Sequence, residues 1–297
     1  MLEKLGTEQR NPKTMSLDTM SIADVLGAMN KEDASVIEVI QQQLPKIEET
    51  VVAVIDSFQR GGRLIYVGAG TSGRLGILDA VECVPTFGVS PDMVVGLIAG
   101  GLKAFTKAVE GAEDDSQLGV KDLKEIHLNE NDTVIGIAAS GRTPYVIGAL
   151  DYARETAAHT VSISCNEHAE MSSHAEIVIE LPTGPEVLTG STRLKAGSAQ
   201  KMVLNMISTA SMIGIGKAYQ NLMIDVQATN LKLEERSKRI IMEATDVDLH
   251  TAAHFYEASG KHVKTATVMI LLDCTKEQAM ERIEATGGFV RKATQQA

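Results

Sequence analysis

Two short segments combine hydroxyl side chains with the backbone of an expected helix start. Gly68-Ala-Gly-Thr-Ser-Gly73 follows the apolar run Leu64–Val67 and precedes a stretch with helical spacing. Thr71, Ser72 and Gly73, with the free N–H groups of a helix N-terminus, form an anion site suited to a single phosphate. Ser140-Gly141-Arg142-Thr143-Pro144 repeats the arrangement after another apolar run. There Ser140 and Thr143 are placed to cap the next helix, and Pro144 fits its first turn. Taken singly, each segment reads as a capped helix start. Two equivalent loops on one sheet favour a phosphorylated small molecule.

Gly68, Gly70 and Gly73 also spell G-x-G-x-x-G, the turn of dinucleotide-binding folds. That use requires an acidic residue about 20 positions on, at the end of the second strand. Here the second strand runs Met93-Val-Val-Gly-Leu-Ile-Ala-Gly100 and ends in glycine, so the ribose ligand is missing. The loop is read as a phosphate site of another kind.

Other candidates are more ambiguous. Glu82 lies between Ala80-Val81 and Cys83-Val84, and an unpaired charge in apolar surroundings is costly. A solvated helix face, or a pair with Arg74 or Arg142, accounts for it equally well. Glu113 precedes Asp114 and Asp115 and by itself reads as a solvated charge run. Ser191 and Thr192 are N-cap candidates for a long helix reaching Tyr219, with Arg193 and Lys195 as nearby cations. His250 and His254 have i, i+4 spacing but lack the glutamate of H-E-x-x-H and a third ligand. No metal is expected.

These residues need a frame. Leu64–Val67, Met93–Ile98, Val134–Ala138, Val161–Ser164 and Ile177–Leu181 are short runs rich in Val and Ile, as in strands of a parallel sheet buried on both faces. Leu75–Val81, Lys103–Ile126, Tyr145–Thr156 and Ser191–Tyr219 have helical spacing. The alternation implies right-handed crossovers in an open, layered α/β sheet, with ligands beyond the strands' carboxyl ends. Ile22–Ile55 reads as helical with a polar face. Beyond a boundary near Asp225–Leu233 the chain reads as short helices, including one opened by a Thr275-x-x-Gln278 capping box. His262–Leu272 suits a helix or a strand. The expected division is residues 1–50 as an N-terminal arm and helices, 51–228 as the sheet domain and 229–297 as a small helical domain.

Bulk properties narrow the partners. The chain has 297 residues, 44% of them hydrophobic, and a formal net charge of −11. That charge argues against nucleic acid and anionic membranes, and 3% aromatics without Trp argue against base-stacking platforms. No apolar run approaches the roughly 20 residues of a membrane helix, and the N-terminus lacks a signal-peptide core. The three cysteines, Cys83, Cys165 and Cys274, form no C-x-x-C and fit a reducing cytoplasm.

The tandem Ser/Thr-bearing loops resemble those of the sugar isomerase (SIS) fold. Gly68-AGTSGRLGILDAVECVPTFG-88, Glu110-GAEDD-115, Gly184-PEVLTGSTRLKAGSAQK-201 and Thr7-EQRNP-12 together resemble the N-acetylmuramic acid 6-phosphate etherases. The third of these strings is shared with the glucokinase regulatory proteins. The resemblance runs from about residue 7 to the C-terminus.

It implies an SIS-type layered parallel sheet, a small C-terminal helical domain resembling a ubiquitin-associated fold, a homodimer, and no cofactor. The implied activity is cleavage of the D-lactyl ether of N-acetylmuramate 6-phosphate to N-acetylglucosamine 6-phosphate and D-lactate. By resemblance Glu82 is the acid that protonates the leaving lactate, and Glu113 is the base at C2, though the two roles are open to exchange. Ser140, Gly141, Arg142 and Thr143 are expected at the phosphate, Thr71, Ser72 and Gly73 nearer the sugar. Ser191, Thr192, Arg193 and Lys195 are expected at the phosphate or the lactyl carboxylate. A helix starting at Ser72 would put Glu82 roughly 15 Å along its axis, too far for a hexose anchored at that start. A delayed helix start, phosphate at the second loop, or a site shared between subunits would each resolve this. The competing class is a non-catalytic phosphosugar sensor; an aldose–ketose isomerase and a NAD enzyme rank below it.

Overall fold

The computed structural model describes residues 5–107, 109–228 and 230–295. After three short 3-10 turns, α1 (Ile22–Gln59) leads into β1 (Leu64–Gly68), α2 (Gly70–Phe87) and β2 (Val94–Ile98). Then come α3 (Lys103–Thr106), a 3-10 turn at Ala112–Asp114, α4 (Ser116–Glu125), β3 (Thr133–Ala138), α5 (Pro144–Glu155), β4 (His159–Ser164) and β5 (Ile177–Glu180). The chain continues through α6 (Lys195–Gly214), α7 (Leu231–Thr245), α8 (Leu249–Ala258), α9 (Val263–Leu272), α10 (Lys276–Ala285) and α11 (Val290–Gln295).

The five strands form one parallel sheet in the order β2-β1-β3-β4-β5. Every residue of β1 and β3 is buried, which explains why, apart from Thr133 at the start of β3, their sequences are runs of apolar residues rather than alternating. Leu64 pairs with Val94 on one side and Thr133 on the other, so β1 and β3 end side by side at Gly68 and Ile137. Both candidate phosphate loops therefore leave the same edge of the sheet. Ile65, Val67, Val134, Val146, Ala149 and Leu150 form the centre of the adjoining core.

Backbone contacts divide the chain into two compact units: residues 1–80 with 92–208, and 81–91 with 209–297. Residues 209–228 fall in the second unit. There Ile224 and Val226 pack in one core with Ile241, Tyr256, Val263 and Val268. His262–Leu272, ambiguous in sequence, is helical as α9, whose residues 263–269 are all buried. The stretch with helical spacing over Lys103–Ile126 holds α3, the 3-10 turn and α4, with Gly111 at φ of 74° before the turn.

Candidate active site

At the first loop, α2 begins at Gly70, so its start is early rather than delayed. A Cβ on Gly73 would lie 2.7 Å from the Gly68 carbonyl and from Ile98, so glycine there lets the helix sit on the ends of β1 and β2. Ser72 is buried, and its hydroxyl donates to Gln200 Oε1 at 2.9 Å, tying α2 to α6. Thr71 has a different setting. With Arg193, Ser198 and Lys201 it lines a cleft of about 390 Å³, closed by Leu75, Gly197 and Met202. Two cations beside a threonine hydroxyl suit a phosphate or carboxylate. Lys201 went unnoticed in sequence because it reads as one more exposed helix residue.

The second loop is held at both ends. Gly141 has φ of 70°, and a Cβ there would be 2.4 Å from the Ala169 side chain. Its carbonyl accepts from Met171 N at 2.9 Å, while Asn166 Nδ2 donates to the Ala139 carbonyl at 3.0 Å. Ser140 Oγ accepts from Arg142 N at 3.3 Å, and Arg142 Nε lies 3.6 Å from Glu170. Thr143 occupies the N-cap of α5 with Pro144 behind it, as expected, but its hydroxyl makes no capping bond. That leaves the Thr143 hydroxyl and the α5 dipole at the carboxyl edge of the sheet.

The third segment requires two corrections. α6 starts at Lys195; Gly197 N donates to the Thr192 backbone carbonyl at 2.9 Å, but among the described residues no hydroxyl of Ser191 or Thr192 caps the first two N–H groups of the helix. Glu186 does this from a distance: its Oε2 accepts from Lys195 N at 3.2 Å and its Oε1 from Ala196 N at 3.0 Å. Burial raises the Glu186 pKa, against the lowering effect of these two N–H bonds. Lys195, expected to hold the ligand anion, is instead buried with Nζ 2.7 Å from Glu32 Oε2. Lys13 Nζ reaches the other oxygen of Glu32 at 2.8 Å. Burial is the largest influence on the Glu32 carboxyl and acts upward. The bonds and charges of Lys13 and Lys195 outweigh it and bring the pKa down to about 2. Lys195 therefore fastens α6 to α1, and the cation that its segment presents to the cleft is Arg193.

The N-terminal arm closes the same region. Thr7 N donates to Asn166 Oδ1 at 3.3 Å, Asn166 Nδ2 donates to Thr7 Oγ1 at 3.0 Å, and Asn11 Nδ2 reaches the Pro185 carbonyl at 3.3 Å. Asn166 thus links the arm to the Ser140 loop, a role invisible in a sequence where it is the first of three successive polar residues, Asn166-Glu167-His168, after β4.

Glu113 lies exposed in the turn Ala112–Asp114. The turn packs on α5, and Ala112 enters the core with Tyr145 and Ala149. Gly119 and Gly148 allow this: a Cβ on either would come within 2.2 Å of a carbonyl of the facing helix. Tyr145 OH donates to Asp122 at 2.7 Å across the same contact. Glu113 is thereby secured beside the helix that the Ser140–Thr143 loop opens.

Glu82 is exposed on α2 while its neighbour Cys83 is buried, so the helix face, not burial, governs its environment. Glu82 lies twelve positions along the helix from Gly70, about 18 Å. The delayed helix start is excluded. Three residues before Glu82, buried Asp79 accepts from Tyr66 OH at 2.8 Å, Asn205 Nδ2 at 2.6 Å and Ser208 Oγ at 3.1 Å. These bonds fix the rotation of α2 about its axis. Among the described residues no cluster of three His, Cys, Asp or Glu side chains could hold a metal ion.

Two family models match: the glucokinase regulatory protein N-terminal SIS domain over residues 46–154 and the SIS domain over 115–210. Among solved structures, a protein of E. coli CFT073, solved as a complex, superposes with a TM-score of 0.51 at 16% identity, covering 68% of this chain and 97% of that one. A phosphoheptose isomerase from Francisella tularensis does so with a TM-score of 0.50 at 14% identity, covering 65% and 98%. Both show the fold, an SIS-type α/β sheet. A relative from Geobacillus sp. (strain WCH70), named N-acetylmuramic acid 6-phosphate etherase, is 66% identical over 99% of this chain and 100% of its own. Relatives of the same name from Exiguobacterium sp. (strain ATCC BAA-1283 / AT1b) and Shouchella clausii (strain KSM-K16) are 66% and 63% identical, covering 99% and 98% of this chain and 100% and 99% of theirs. With identity this high from end to end, and the paired loops on a parallel sheet, the chain belongs to the N-acetylmuramic acid 6-phosphate etherase family.

Proposed function

We propose that this protein cleaves the D-lactyl ether of N-acetylmuramic acid 6-phosphate with one water, giving N-acetylglucosamine 6-phosphate and D-lactate. The observation that carries this is 66% identity to an etherase over 99% of the chain. The role is recycling of cell-wall sugar.

An ether resists direct displacement at neutral pH, and the sugar's own aldehyde offers the way around it. In the ring-opened form the C1 carbonyl acidifies the C2 hydrogen. Glu113 takes that proton, the C3–O bond breaks, and Glu82 protonates the departing lactate oxygen. Water then adds at C3 of the unsaturated aldehyde, activated by Glu82, and Glu113 returns a proton to C2. The net change is elimination followed by hydration, a carbon–oxygen lyase reaction of the hydro-lyase type. Each proton transfer contributes roughly 10²–10⁴-fold.

Phosphate is assigned to the Ser140–Thr143 loop and the α5 N-terminus, beside which Glu113 is held. Thr71 and Arg193 serve the opposite, carboxylate end; Ser72, Gly73, Ser191 and Thr192 shape the loops that present them. The working unit is a homodimer, a reading supported by exposed apolar side chains along α1, among them Ile22, Leu26, Ile37 and Val52. Among the described residues no helix is long and apolar enough to cross a membrane.

The match to a glucokinase regulatory domain keeps a second reading in play, a phosphosugar sensor without turnover. Incubation with the muramate 6-phosphate in deuterated water separates them. The lyase releases lactate and leaves deuterium at C2, whereas a sensor binds sugar phosphates and releases none.

A further inference from the structure

The helical unit contains a cavity of about 800 Å³, within the range of small-molecule sites. Its polar inner wall is made by Lys217, Asp225, Tyr256 and Lys264, and its apolar wall by Ile224 and Val263. His262, Lys261 and Glu284 stand exposed at the rim, with Lys261 already 2.8 Å from Glu234.

Two features of the wall are incomplete. Lys264 is buried, with its ammonium on Asp225 Oδ2 at 2.5 Å and on the Gly216 carbonyl at 2.9 Å. Lys217 Nζ approaches the same Asp225 oxygen at 3.4 Å. Two ammonium groups share one carboxylate in a partly desolvated space, and the other carboxylate of the lining, Glu284, stands exposed at the rim. Burial lowers the Lys264 pKa, Asp225 opposes this, and Lys217 adds to the lowering. The second feature is Tyr256: its side chain is wholly buried, and among the described residues its O–H has no hydrogen-bond partner. A buried hydroxyl left unsatisfied is costly, and native cores rarely keep one without a reason.

An anion answers both. It pairs with the ammonium groups of Lys217 and Lys264 and accepts from the Tyr256 O–H, while the apolar wall takes an apolar body. We infer that the helical unit carries a second ligand site, for a small amphipathic organic anion with one carboxylate or phosphoryl group. The shape is built rather than incidental: a Cβ on Gly88 would lie 2.3 Å from the Asp225 carbonyl, so a glycine there lets the segment bearing Asp225 lie against it.

The test is calorimetric titration of the full chain with phenyl phosphate and with benzoate, each repeated at saturating N-acetylglucosamine 6-phosphate. Saturable one-site binding of either probe, undisturbed by the sugar phosphate, is the expected result, and the tighter probe assigns the head group. Lys217→Met should weaken that binding at least tenfold, since a hydrogen bond to a charged group is at stake. Tyr256→Phe should weaken it several-fold while leaving the melting temperature equal or higher. Binding of neither probe, displacement by the sugar phosphate, or unchanged affinity in folded Lys217→Met would overturn the assignment.

Discussion

Lys195 Nζ lies 2.7 Å from Glu32 Oε2, joining residues 163 positions apart. This one pair turns a cation in a ligand-binding motif into a brace between α1 and α6. Lys195→Met should therefore show its effect in stability, at about 3 kcal/mol, because it removes one partner of a buried ion pair. Sugar-phosphate affinity should change little in comparison. Chemical denaturation and calorimetry on the same preparation decide the matter, and a normal denaturation midpoint with lost binding would restore Lys195 to the site.

Glu32 also sets an acid limit. Its pKa is about 2 in the fold against an ordinary 4.5, so the folded state binds fewer protons between those values. A lowered carboxylate stabilises fully above the unfolded value and loses its contribution as pH falls toward the folded one. Between pH 4.5 and about 2 the urea midpoint should fall more steeply in the parent protein than in Glu32→Gln. Parallel curves would show that Glu32 does not carry the acid sensitivity.

Glu82→Gln should keep the fold, since the side chain is exposed, and keep ligand affinity. Turnover, followed by lactate release, should drop by about two or more orders of magnitude. Near-normal turnover would mean the acid lies elsewhere.

Glu113→Gln should abolish exchange of the C2 hydrogen with solvent, read by NMR in deuterated water. If exchange persists while lactate release stops, the two glutamates have exchanged roles.

Gly148→Ala tests how Glu113 is positioned. The added Cβ would meet the Ser116 carbonyl at 2.2 Å, forcing α4 and the turn before it away from α5. Overpacking costs about 1–3 kcal/mol, and a displacement near 1 Å at a catalytic group costs on the order of 10²-fold in rate. The expected outcome is a lowered melting temperature together with a fall in kcat larger than any change in KM. Stability lost with kcat intact would separate the helix contact from catalysis.

Much of the frame could be read directly from the order of residues. Runs such as Leu64–Val67 and Val134–Ala138 have no polar face, which only a strand covered on both sides tolerates, so the parallel sheet followed. Pro144 after Thr143 marked the start of α5 for a local reason, the fixed φ of proline. The partners of individual side chains were another matter. That Glu186 rather than Ser191 caps α6, that Ser72 is spent on Gln200, and that Lys195 is spent on Glu32 depend on approaches between segments distant in the chain. A residue's type states which bonds it can make. Only the packed structure decides which partner stands within 3 Å, because that distance is set by the whole core and not by neighbours in sequence.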